Sequence, residues 1–145
     1  MVRLVCAAIV ASLVFPASAL ASLSFAFDRA QARPGQVVHA FQADPDGNPA
    51  AAWGGDTFDP ASVTLYLVRL RSPFSWRLRL GPMQIDANNV WNVTFRLPKK
   101  LRPGLYTTAF FCPPCGNTFF TSTLPTDEWT RKPSRVLKVL RPVRR

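Results

Sequence analysis

Strand-length apolar stretches recur at short intervals after residue 22, and a Pro, Gly, Asn or Asp stands between each and the next. Such residues remove a backbone donor or favour a turn, so the stretches have room for strands but not for long amphipathic helices. Candidate strands cover residues 23–27, 36–41, 62–71, 76–80, 90–97, 105–112, 118–122 and 135–140. Composition agrees, because 14 Pro against one Glu and four Lys is unlike a helix-rich surface. The pattern predicts an all-β sandwich of seven or eight strands. Its sharpest alternation is at 90–97, where Trp91, Val93, Phe95 and Leu97 fall on one face and Asn92, Thr94 and Arg96 on the other. That is the signature of a strand with one face in a core.

The first 21 residues carry a different message. Arg3 precedes an apolar core over 4–15, Pro16 breaks it, and Ala19, Leu20 and Ala21 form a small-x-small cleavage site. The apolar run is shorter than the roughly 20 residues of a spanning helix. We expect a cleaved secretory signal over 1–21, with retention as an anchor the alternative, a sandwich domain over 22–141 and a basic tail over 142–145. Export implies a secreted or envelope location. Cleavage removes Arg3 and no acid, lowering the net charge from +10 to +9, and leaves 124 residues and two of the three cysteines. A domain of that size buries roughly two-thirds of its unfolded surface.

The link at 98–104 runs through Leu101-x-Pro103-Gly104-x-Tyr106. It resembles the tyrosine-corner region of immunoglobulin-like and fibronectin-type sandwiches, where the phenol ties a loop to the core. With the preceding run Asp86, Ala87, Asn88, Asn89, Val90 and Trp91, it is similar to bacterial extracellular Ig-like modules. The stretch from Tyr106 through Cys112, Pro113, Pro114 and Cys115 to Thr121 resembles a small secreted family of Gram-positive bacteria, in which a CxxC turn follows the Pro-Gly-x-Tyr strand. The resemblance spans about 86–122 and implies an Ig-like or fibronectin-like antiparallel sandwich.

Cys112 and Cys115 admit three readings. An aromatic followed by CxxC is similar to the redox site of thioredoxin-like oxidoreductases, but those thiolates sit at a helix N-terminus. Here β-formers follow, Thr118, Phe119 and Phe120. A zinc site needs four ligands, and the pair plus the single His39 supplies three at most. A copper-binding sandwich drawing on Cys, His39 and Met83 is a further option. The reading we favour is a disulfide between Cys112 and Cys115 that staples a turn, as export to an oxidising compartment favours. A loop so short gains only about 2 kcal/mol from closure.

Hydrolytic chemistry has few candidates in a chain with one His and one Glu. His39 lies within a strand, and the acids Asp44, Asp46, Asp56 and Asp59 gather on the 17-residue stretch 44–60, where they suit turns. Long loops of this kind are often functional. Trp53 sits there between small residues, near Asp56, and Trp129 occupies a second polar stretch, so Trp53, Asp56 and Trp129 are candidate ligand contacts. Trp76 and Trp91 lie in strands and read as core residues.

The arginines Arg69, Arg71, Arg77, Arg79 and Arg96 are candidate anion contacts, provided that register gathers them. With Arg71 facing Trp76, they scatter over both faces of a hairpin. With Arg71 facing Arg77 and Arg69 facing Arg79, they concentrate and require a polyanion to relieve the repulsion. Arg131, Lys132, Arg135, Lys138, Arg141, Arg144 and Arg145 add a basic C-terminal end. We therefore expect a non-catalytic extracellular module, without cofactor or bound metal, whose cationic surface meets anionic wall polymers or a membrane surface and not nucleic acid. The alternatives are a carbohydrate- or copper-binding module built on 44–60, and a thiol-disulfide oxidoreductase built on Cys112. Oligomeric state is not legible in the sequence.

Overall fold

The alternation at 90–97 is realised as an inward stripe. Trp91, Val93, Phe95 and Leu97 are all buried, while Thr94 and Arg96 are exposed. The structure, a computed structural model, describes residues 24–44, 46–51, 62–113, 118–121 and 135–142, with the backbone alone at 73–75 and 118–121. Among the described residues ten strands are seen: β1 (Ser24–Phe27), β2 (Gln31–Ala32), β3 (Val37–Ala43), β4 (Thr64–Arg69), β5 (Ser72–Arg79), β6 (Gln84–Ile85), β7 (Trp91–Arg96), β8 (Gly104–Cys112), β9 (Thr118–Thr121) and β10 (Leu137–Val139). Eight correspond to the expected segments. The additions, β2 and β6, are two residues each, too short to show a period. Among the described residues no helix is long and apolar enough to cross a membrane. The expected signal segment 1–21 and the last three residues of the expected tail lie outside them.

The strands form two sheets of a sandwich. One runs β1-β3-β7-β6, and the other β2-β10-β8-β4-β5. β8 pairs with β4 along one edge, and its other edge is divided between β10, at 104–106, and β9, at 109–112. All these pairings are antiparallel except β10 with β2. Phe25, Val38, Ala40 and Val93 from the first sheet meet Leu65, Leu67, Tyr106, Phe110 and Leu137 from the second in one core. Phe25 and Phe110 touch edge to face with centroids 6.2 Å apart. Each fully buried large side chain contributes roughly 1.5–3 kcal/mol.

Turns follow from local chemistry. Pro34 and Gly35 occupy the centre of a turn closed by Gln36 N–H on the Arg33 carbonyl (3.1 Å). Gly35 has φ +86°, the left-handed value that a type II turn needs at that position. At 44–48, Asp44 Oδ1 accepts the N–H groups of Asp46 (2.8 Å) and Asn48 (2.9 Å). The Asn48 bond holds the Asp44 carboxyl below the usual carboxylate range against a smaller effect of burial. This carboxylate organises a turn.

Asp28 is the other depressed carboxyl. Burial pushes it up, but hydrogen bonds from Arg29 (2.8 Å) and from the His39 N–H (3.1 Å) outweigh that and bring it below 3.8. A carboxylate with a depressed folded-state pKa contributes stability that is complete above its unfolded value and is lost as pH falls through the folded one. The melting temperature is therefore expected to hold from neutrality to just above 3.8 and to drop below it. Asp28→Asn should flatten part of that drop while staying within about 1 kcal/mol of the parent at pH 7, since the pair is largely exposed. An unchanged acid limb in this variant would assign the drop to other groups.

Candidate anion-binding groove

The groove is built where two segments, the 98–104 link and the β4–β5 hairpin, are pinned together. In the link 98–104, Leu101 is buried and its N–H donates to the Pro98 carbonyl at 3.0 Å. The Tyr106 hydroxyl donates to the Arg102 carbonyl at 2.7 Å, so the phenol does tie this link to the core. Lys100 and Arg102 are thereby held on a fixed backbone with their side chains exposed. Opposite them, β4 turns into β5 at Leu70 and Arg71, and the Leu70 N–H donates to the Leu105 carbonyl at 3.1 Å. In the β4–β8 register Arg69 faces Tyr106.

Neither register expected for the arginine hairpin occurs. Val68 faces Arg77 and Tyr66 faces Arg79, yet Arg69 faces Ser72, so residues 73–76 have no counterparts on β4. This excursion brings Trp76 against Tyr106, with ring centroids 5.6 Å apart and planes at 78°. Trp76 is only partly buried, unlike Trp91.

The result is a cleft of about 590 Å³ with Arg69, Lys100 and Arg102 around an apolar lining of Trp76, Leu101 and Tyr106. A second cleft of about 330 Å³ shares Arg69 and adds Arg71 and Ser72. Among the described residues no carboxylate lines either cleft. Among the described residues the one ion pair joins Arg29 to Asp28, remote in sequence from these cations. Like charges gathered without acids make a positive potential that an anion relieves.

Of the five candidate arginines, Arg69 and Arg71 reach the groove and three do not. Arg77 lies over the Tyr66 ring at 5.6 Å, Arg79 borders a separate cleft with Thr64 and Leu80, and Arg96 belongs to the other sheet, where its Nη1 donates to the Gly35 carbonyl at 2.7 Å. The five make no single stripe. Arg135, grouped by sequence with the basic C-terminal end, is buried at 3% exposure, whereas Lys138 is exposed. Of the other groove residues, Trp76 reads in the sequence as core and Tyr106 as the corner tyrosine, and those overlooked there are Lys100 and Arg102. Their signal was the Lys-Lys-x-Arg run at 99–102 directly before Pro-Gly-x-Tyr.

Trp53, Asp56, Trp129 and Cys115 lie outside the described residues. Cys112 ends β8, 1% exposed, facing Thr118 of β9. His39 is a half-buried strand residue beside Phe41, and Met83 is buried in the core. Among the described residues no three His, Cys, Asp or Glu side chains converge as metal ligands.

No protein-family model and no curated protein sequence matches the chain. Among solved structures, it is similar to part of trypsin-activated alpha-2-macroglobulin from Escherichia coli, with TM-score 0.40 and 16% identity over 68% of this chain. It spans 6% of that protein, and likeness at this level identifies neither a family nor an activity.

Proposed function

We propose that the chain is a secreted, non-catalytic extracellular module that associates with the cell envelope by binding anionic polymers in the groove between the 98–104 link and the β4–β5 hairpin. The observation that carries this reading is the gathering of Arg69, Arg71, Lys100 and Arg102 with no acid among the described lining residues. The net charge, +9 once the expected signal is removed, acts in the same direction, drawing polyanions toward the protein before contact. In this reading Cys112 and Cys115 form a structural staple across the β8–β9 turn. Support comes from the burial of Cys112, which keeps its sulfur from an exchange partner.

The test is retention of the protein on isolated cell walls as salt is raised. Binding should weaken steeply between low and physiological ionic strength, where screening shortens to about 8 Å. Arg69→Ala, Lys100→Ala and Arg102→Ala should each weaken it about threefold to fivefold, the scale of an exposed charge contact. Retention that ignores salt, or a triple variant that binds like the parent, would overturn the reading.

A further inference from the structure

Resting on that reading, we infer that the groove is built for an anionic polysaccharide, taking two consecutive charged sugars, one in each cleft. The lining separates sugars from other polyanions. A bare phosphate chain or a row of lipid headgroups needs charge alone, yet the larger cleft sets Arg69, Lys100 and Arg102 around Trp76, Leu101 and Tyr106. Trp76 is held edge to face against Tyr106, which is itself anchored by its hydroxyl bond to Arg102. A rigid aromatic wall beside fixed cations suits a flat ligand ring that carries a charged substituent. The ring lies along the indole while the carboxylate meets Lys100 or Arg102.

The second cleft sets the ligand's length. It shares Arg69 with the first and adds Arg71 from the hairpin turn beside Leu70, Pro103 and Leu105, with no aromatic residue among its described lining. It therefore supplies a charge contact for the next unit of a chain, with aliphatic contact from Leu70, Pro103 and Leu105 in place of the aromatic wall of the first cleft. Linking two such units makes the second contact intramolecular, so a short chain gains over its monomer without any new kind of interaction.

Calorimetric titration tests this with four probes: galacturonic acid, its tetramer, a polyphosphate of equal charge and vesicles of phosphatidylglycerol. The tetramer should bind at least about tenfold more tightly than the monomer, as expected when adjacent subsites are linked, and more tightly than polyphosphate or the vesicles. Trp76→Leu should weaken tetramer binding about tenfold, the scale of a lost stacking contact, and leave polyphosphate binding unchanged. Trp76→Phe, which keeps a ring, should restore part of the loss and guards against a folding defect in the first variant. Arg71→Ala, at an exposed turn, should weaken the tetramer and spare the monomer.

If polyphosphate or vesicles bind as tightly as the tetramer and neither Trp76 variant matters, the groove reads charge alone. The sugar inference then falls and the anion-binding function stands. Equal affinity for monomer and tetramer would overturn the two-unit arrangement. If no polyanion binds and wall retention is absent too, both fail together.

Discussion

Replacing Tyr106 by Ala is expected to destabilise the domain by about 4 kcal/mol, within the range for deleting a buried aromatic side chain, whereas Tyr106→Phe should lose only about 1 kcal/mol, the usual worth of one hydrogen bond. Tyr106 is 1% exposed, faces Arg69 on one neighbouring strand and Leu137 on the other, and touches Trp76. Truncation therefore opens a cavity at the junction of β4, β8 and β10. The Phe variant keeps the packing and removes the one bond from the hydroxyl to the Arg102 carbonyl. The two variants also separate stability from binding. In Tyr106→Phe the core is intact but the backbone under Arg102 is less firmly held, so polyanion affinity should fall more than the small stability change suggests. Urea unfolding followed by fluorescence, paired with wall retention, reads both. If the Ala variant were less than 1.5 kcal/mol below the parent, well short of the buried-aromatic range, Tyr106 would not be the keystone of this end of the sandwich.

The sheets were legible because burial imposes a period of two. The run Trp91, Val93, Phe95, Leu97 could pack only one way, and the breakers between runs mark where chains turn. Register was less legible, for a physical reason. A hairpin's pairing is fixed by its turn, and the tight turn at Leu70 and Arg71 is followed by an excursion at 73–76 whose marker in sequence is Pro73. Either uniform register would have put arginines opposite each other or scattered them. The excursion instead detaches Trp76 from the β4 ladder and turns it to the groove. The groove itself was hidden because three of its four cations, Arg71, Lys100 and Arg102, come from a turn and a connector, segments with no period, joined through the long-range pairing of Arg69 with Tyr106 and the Leu70–Leu105 hydrogen bond.

Arg135 shows the same limit for a single residue, since a charge within a basic run reads as solvated and here is buried. Arg135→Ala should cost about 3 kcal/mol, combining a lost hydrogen bond from a charged donor with the lost packing of the side-chain stem. The guanidinium Nη2 donates to the Asp44 carbonyl just beyond β3, and the Arg135 carbonyl accepts the Thr107 hydroxyl of β8 at 3.3 Å. This residue therefore links the start of β10 to both sheets. Arg135→Met should be milder, about 1 kcal/mol, because it refills most of the space without burying a charge. The Asp44 carbonyl would still accept the Gly47 N–H at 3.0 Å, so Met leaves it with a partner. Lys138→Ala, three residues along and exposed, should stay within about 0.5 kcal/mol of the parent. Urea midpoints at constant m-value separate these outcomes. If Arg135→Ala and Lys138→Ala were equally mild, Arg135 would belong with the solvated basic end, and the closure of the sandwich would rest on Leu137 and Val139 alone.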